Sequence, residues 1–150
     1  MLVDYSLLWQ VRHFVYNHFA DTTHPPSVEE TARRFNISTK EAGDDYQELN
    51  NRHQFFLDPS TVNIRMAWPF SAMPTDFKVH ANGRTYYANC AWDMLGIPVV
   101  LQSDATADAI CTESNDAVQL EIKNGQVTNR DLLIHFPVAF SHWYDDLVFT

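Results

Sequence analysis

Apolar residues at Val3, Leu7, Leu8, Val11, Phe14, Val15 and Phe19 recur three and four positions apart, which predicts an amphipathic helix over residues 5–19. Asp21-Thr-Thr-His-Pro-Pro26 stops that pattern and makes a stiff connection. Ser27-Val-Glu-Glu30 and Ser38-Thr-Lys-Glu41 each set a hydroxyl three residues before a glutamate. This is the spacing of a capping box, in which the hydroxyl accepts from the amide three residues on and the carboxylate returns to the cap's own amide. Helices are therefore predicted from about residue 28 to 35 and from about 39 to 52, with a tight Asn-Ile turn between them. The helical period then ends. Residues 55–57 and 62–66 flank Asp58-Pro-Ser-Thr61 and read as strand, turn and strand. Three helices and a hairpin give residues 1–66 a winged-helix-like outline.

From Ala67 the pattern changes. Trp68-Pro-Phe-Ser-Ala-Met-Pro74 has no helical period and reads as an apolar, proline-punctuated linker. Phe77, Val79 and Ala81 alternate with polar residues before Asn82-Gly83, and an aromatic run follows, the signature of a β-hairpin with an Asn-Gly turn. A short helix is expected from Ala91, ended by Gly96-Ile-Pro98 because proline cannot continue a helix. Strands are expected at 107–111 and 118–122, a second tight turn at Asn124-Gly125 leading into 126–128, an element at 132–136 stopped by Pro137, and a last element over 143–150. The fold class is α+β: a helical subdomain over residues 1–66, then a mainly antiparallel β-sheet subdomain over 67–150 with a short helix after Cys90.

Composition narrows the functional classes. A hydrophobic content of 45% in 150 residues suffices for a core without disulfides. The net charge of −9 argues against nucleic acid, which is held mainly by Lys and Arg on phosphates. The helix that would enter a DNA groove carries Lys40 and Arg52 against Glu41, Asp44, Asp45 and Glu48, so a winged-helix regulator is the least favoured class. The two cysteines read as reduced thiols. The first apolar stretch is broken by Gln10, Arg12 and His13, unlike a signal peptide, and no run is long enough to span a membrane; a cytoplasmic protein is expected. The seven histidines show no metal-ligand spacing and are expected on the surface or at caps.

Cys90-Ala-Trp-Asp93 is the chemically informative stretch. If a helix begins at Ala91, the thiol and the carboxyl share a face. The unpaired amides and positive dipole end of that helix would then favour a thiolate. A soft thiolate beside a proton carrier suits chemistry on a soft metal or on a carbon bound to one. The plainer alternative is a small buried hydrophobe and a charge at a helix start. Cys111 reads as a strand cysteine. It would serve as a second thiolate only if the sheet brought it within about 4 Å of Cys90.

Gly83-Arg-Thr-Tyr-Tyr-Ala-Asn-Cys-Ala-Trp-Asp-Met-Leu-Gly-Ile-Pro98 closely resembles the catalytic segment of the alkylmercury (organomercurial) lyase family, in which an aromatic strand leads into Cys-Ala-x-Asp. The likeness extends upstream through a small helical part and downstream past Cys111 to Asp145-Asp-Leu-Val-Phe-Thr150. It implies protonolysis of carbon–mercury bonds, with Cys90 as the capturing thiolate and Asp93 as the proton-transferring carboxyl. Tyr87 and Trp92 are expected to wall the organic group. No cofactor is implied, Hg(II) being a product or bound ion, and a mercuric reductase is the implied acceptor. The family's second catalytic cysteine follows an element resembling Val148-Phe149-Thr150, where this sequence ends; either the chain continues to that thiol or it is a relative lacking it. A non-catalytic thiol protein that binds soft metals or small molecules is the other class left open.

Overall fold

The computed structural model describes residues 5–128 and 131–146. Two compact units, Met1–Pro74 and Thr75–Thr150, divide the chain.

In the first unit, α1 (Tyr5–Thr22), α2 (Val28–Phe35) and α3 (Thr39–Asn51) follow the hydrophobic pattern. Leu8, Val11, Val15 and Phe19 are fully buried along one stripe of α1; Val3 lies outside the described residues. Both capping boxes form. The Glu30 amide donates to Ser27 Oγ at 3.2 Å while Glu30 Oε2 accepts from the Ser27 amide at 2.8 Å. Glu41 and Ser38 repeat the exchange at 3.1 and 2.9 Å. The hydroxyl of buried Tyr46 donates to Pro26 O at 3.1 Å and so accepts from Thr31 Oγ1 at 2.7 Å, and burial raises its pKa to about 12.

A three-strand antiparallel meander follows, β1 (Phe56–Leu57), β2 (Ile64–Ala67) and β3 (Phe70–Ser71). The strand β3 lies in the stretch that reads as linker. Two residues are too few for a period to register, but its Phe70 is buried and stacks on Phe19 with ring centroids 5.3 Å apart.

The second unit carries β4 (Lys78–Ala81), β5 (Arg84–Ala88), α4 (Ala91–Leu101), β6 (Ala105–Ile110), β7 (Ala117–Lys123) and β8 (Gln126–Val127). All these strands are antiparallel, in the order β5-β4-β6-β7-β8. Asn82-Gly83 and Asn124-Gly125 have positive φ at both residues (52° and 73°, 49° and 70°), the type I′ turn that matches strand twist. Val79, Ala81, Tyr86, Ala88, Ala105, Ala107, Leu120 and Ile122 form the buried face. The helix α4 packs on β4, β5 and β6, with Met94, Ile97 and Pro98 buried.

That helix corrects one expectation. It does not stop at Gly96-Ile-Pro98 but runs through Pro98 to Leu101, and ends where Gln102 turns left-handed (φ 50°) and donates back to Pro98 O and Val99 O. An interior proline costs about 3 kcal/mol, whereas burying three apolar side chains contributes about 1.5–3 kcal/mol each. Packing outweighs local preference here. Residues 132–136 form no strand; the segment from 131 to 146 is irregular apart from a single 3₁₀ turn, Phe140–His142. The expected last element lies partly outside the described residues, as do Val148, Phe149 and Thr150. No helix among the described residues is long and apolar enough to cross a membrane.

Candidate active site at the start of α4

Strand β5 brings the chain to Cys90. Ala88 at its end is pinned from both sides, its amide donating to Phe77 O at 2.9 Å and its carbonyl accepting from Thr75 Oγ1. Cys90 is extended (φ −150°, ψ 177°) and is the N-cap of α4. The positions repeat those of α2 and α3, a cap residue followed three residues later by an acid, with thiol in place of hydroxyl and Asp in place of Glu. The outcome differs. Cys90 makes no side-chain capping hydrogen bond of ordinary geometry. Asp93, one methylene shorter than Glu, is buried at 3% exposure, and its Oδ2 accepts from Asn89 Nδ2 at 3.2 Å.

Thiol and carboxyl are therefore brought together at one helix start, but the expected thiolate is not the resting form. Burial, reinforced by the Asp93 carboxyl, raises the Cys90 pKa to about 11. The amides of Trp92 and Asp93 act the other way and do not win. A helix terminus supplies only partial charges, while half-burial penalises a full negative charge and a carboxylate three residues away repels it. At neutral pH Cys90 is a protonated, half-buried thiol.

Trp92 is 49% exposed and begins an aromatic chain. Its ring lies 6.2 Å from Phe136, which stacks on Trp143 at 5.2 Å; Phe140 meets Trp143 edge-on at 5.0 Å. Tyr87 is half-buried and sits cross-strand from Lys78. Strand alternation turns it to the sheet face opposite Tyr86 and Ala88, away from the face under α4.

Cys111 follows β6 and is also free. The registers Lys78↔Tyr87 and Lys78↔Asp108 put both cysteines three residues past the same level at one end of the sheet, two strands apart. Two strand spacings are about 10 Å, against about 4.6 Å for two sulfurs on opposite sides of one metal. Hydrogen bonds from Ser114 and the Glu113 amide lower the Cys111 pKa, so the two thiols differ in kind. No group of three or more His, Cys, Asp or Glu side chains able to hold a metal occurs among the described residues.

Sequence reasoning missed Asn89, which holds the carboxyl, and Phe136, which reaches Trp92. A polar residue next to the cysteine was a usable signal for the first. For the second, the aromatic density of residues 136–144 was the only hint. His80 takes part in a cross-strand network, 2.8 Å from Asp108 Oδ2 and 2.9 Å from Thr85 Oγ1, on the sheet face away from α4.

An antiparallel sheet thus carries a helix whose first turn brings a half-buried thiol and a buried carboxyl together. Residues 70–149, more than half of the chain, match the alkylmercury lyase family model, and the chain belongs to that family. A solved structure described as the mercury-bound form of MerB2 is similar in fold, with a TM-score of 0.67 and 20% identity over 85% of this chain and 60% of that one. The chain thus spans about 60% of the length of that relative. No curated protein sequence matches it.

Proposed function

We propose that the chain captures organomercurials on Cys90 and protonates the mercury-bound carbon from Asp93. The observation that carries this reading is the pairing of a half-buried thiol with a buried carboxyl in the first turn of α4, within a chain of the alkylmercury lyase family. Capture replaces the S–H bond of Cys90 by an S–Hg bond: the anionic ligand that R–Hg carried in solution leaves to solvent, and the thiol proton passes to the adjacent Asp93 carboxylate. The proton then passes from Asp93 to the carbon of the C–Hg bond. That bond breaks with its electron pair going to carbon; R–H leaves, and Hg(II) stays on sulfur. A high thiol pKa slows the first contact, since thiolate is scarce, but a more basic sulfur holds a soft cation more firmly once bound. Asn89 keeps the carboxyl oriented, and Trp92 is assigned to the organic group; Tyr87, on the sheet face away from α4, drops out of the expected wall.

Mercury favours two sulfurs in line, and Cys111 stands about two strand spacings away. The chain alone is therefore expected to bind organomercurials and to cleave them slowly, with a thiol from solution supplying the second sulfur. A mercuric reductase is the proposed acceptor of Hg(II). The wide separation of the thiols also favours a second reading, a non-catalytic protein that retains soft metals on Cys90. Phenylmercury incubated with the protein and excess small thiol distinguishes these readings by gas chromatography. Benzene release that depends on Cys90 supports the lyase, retention without benzene supports the binder, and retention unaffected by Cys90→Ala refutes both.

A further inference from the structure

Building on the function proposed above, we infer that Asn89 is a positioning residue for proton delivery: its amide occupies Oδ2 of Asp93 and so assigns the transferable proton to Oδ1. Capture of mercury does not need this assignment, whereas cleavage of the carbon–mercury bond does.

Asn89 stands one residue before the N-cap of α4, directly after Ala88, whose amide and carbonyl are both anchored. Its Nδ2 donates to Asp93 Oδ2 at 3.2 Å. In α2 and α3 the acid of the first turn accepts from the backbone amide of its own cap residue; in α4 a side chain from before the cap donates to it. Asp93 is almost wholly buried, and a buried carboxylate depends on protein donors in place of water. Its other neighbour is the Cys90 sulfur, which lies within hydrogen-bonding reach of the Asp93 side chain. Amide, carboxyl and thiol thus form one chain of contacts. An amide N–H can only donate, and a carboxylic acid keeps its better acceptor on the oxygen without the proton. When Asp93 takes up the thiol proton, the Asn89 amide therefore favours C=O at Oδ2 and O–H at Oδ1. The carbon then receives its proton from one defined atom. Without the amide, the acid carries the proton on either oxygen and turns about a broad terminal torsion, so only a fraction of molecules present it productively. The sulfur–mercury bond forms in every case.

The test uses the full chain carrying Cys111→Ser, so that one thiol remains, loaded with phenylmercury in excess small thiol. The adduct on Cys90 is measured by intact mass and benzene by gas chromatography. Asn89→Leu keeps the shape and lacks the donor; benzene release per loaded chain is expected to fall about tenfold to 100-fold, with loading changed less than about twofold. Asn89→Gln, which keeps the amide on a longer stem, should recover part of the rate, and Asn89→Ala gives the reading if the leucine variant does not fold. Counting release per loaded chain keeps partial unfolding from imitating the effect. Because Asn89 acts through Asp93, adding Asn89→Leu to Asp93→Asn should lower release less than about twofold further, whereas a purely structural role would give the same loss in both backgrounds. Unchanged release per loaded chain in Asn89→Leu, or an equal loss with and without the Asp93 carboxyl, overturns the inference and leaves the proposed function standing. A parent protein that retains phenylmercury and yields no benzene overturns the proposed lyase reaction itself, and the role of Asn89 falls with it.

Discussion

The starts of α2 and α3 and the start of α4 place a cap residue and an acid at the same spacing with different outcomes. Ser27 with Glu30 and Ser38 with Glu41 exchange hydrogen bonds in both directions, satisfying amides that the first helical turn leaves open. Cys90 and Asp93 occupy the same positions, yet the cap bond is missing and the carboxyl is turned to Asn89. A helix start that a hydroxyl cap stabilises by about 1 kcal/mol carries in α4 a thiol with no side-chain cap hydrogen bond beside a buried acid. The buried polar groups of the first unit tell the same story from the other side. Tyr46, Thr31 and Pro26 O satisfy one another in a closed chain and need nothing from outside.

Removing the thiol is expected to cost most. Cys90→Ala is expected to abolish Cys90-dependent retention of phenylmercury outright, measured by metal content after competition with small thiol. Next in size is the pH dependence. In the Cys111→Ser protein, alkylation of Cys90 by iodoacetamide should rise about tenfold per pH unit across the neutral range, as thiolate builds with a raised pKa, and level off only near pH 11. In Cys90→Ser the remaining Cys111, whose pKa is lowered, should level off well below that. A shared plateau would show that burial and Asp93 do not control Cys90.

Smaller effects belong to stability. Tyr46→Phe leaves the Thr31 hydroxyl and Pro26 O without their partner and should destabilise by about 1–3 kcal/mol, visible in urea unfolding with mercurial capture unchanged. Cys90→Ser restores a capping hydroxyl and should gain about 0.5–1 kcal/mol while losing capture. A loss of stability in Cys90→Ser would mean that the thiol already does the work of a cap.

How much of this was legible in the chain follows from how local each signal is. The capping boxes, the stripe of α1 and both Asn-Gly turns were readable because each rests on neighbours within four residues, and the structure reproduces them. Pro98 misled, since a helix stop is a local preference and the apolar face of α4 overrides it. The strand β3 is too short to show a period, and only its pairing with β2 reveals it. At the site, the juxtaposition of Cys90 and Asp93 was legible from their spacing. The protonation of the thiol was not: it depends on how deeply β5 and α4 bury the sulfur, and on the Asp93 carboxyl opposing the helix dipole. Phe136 is 44 positions beyond Trp92 in the chain, and no periodicity connects residues so far apart.

In the proposed reaction thiol and acid act in succession, one holding mercury and the other delivering the proton. The decisive measurement of this succession loads phenylmercury on Cys90 in wild-type and Asp93→Asn proteins and follows benzene release in excess small thiol. Loading should still go to completion in Asp93→Asn, where buffer takes up the thiol proton, while benzene release falls about 100-fold or more. Equal release from the two proteins would contradict it.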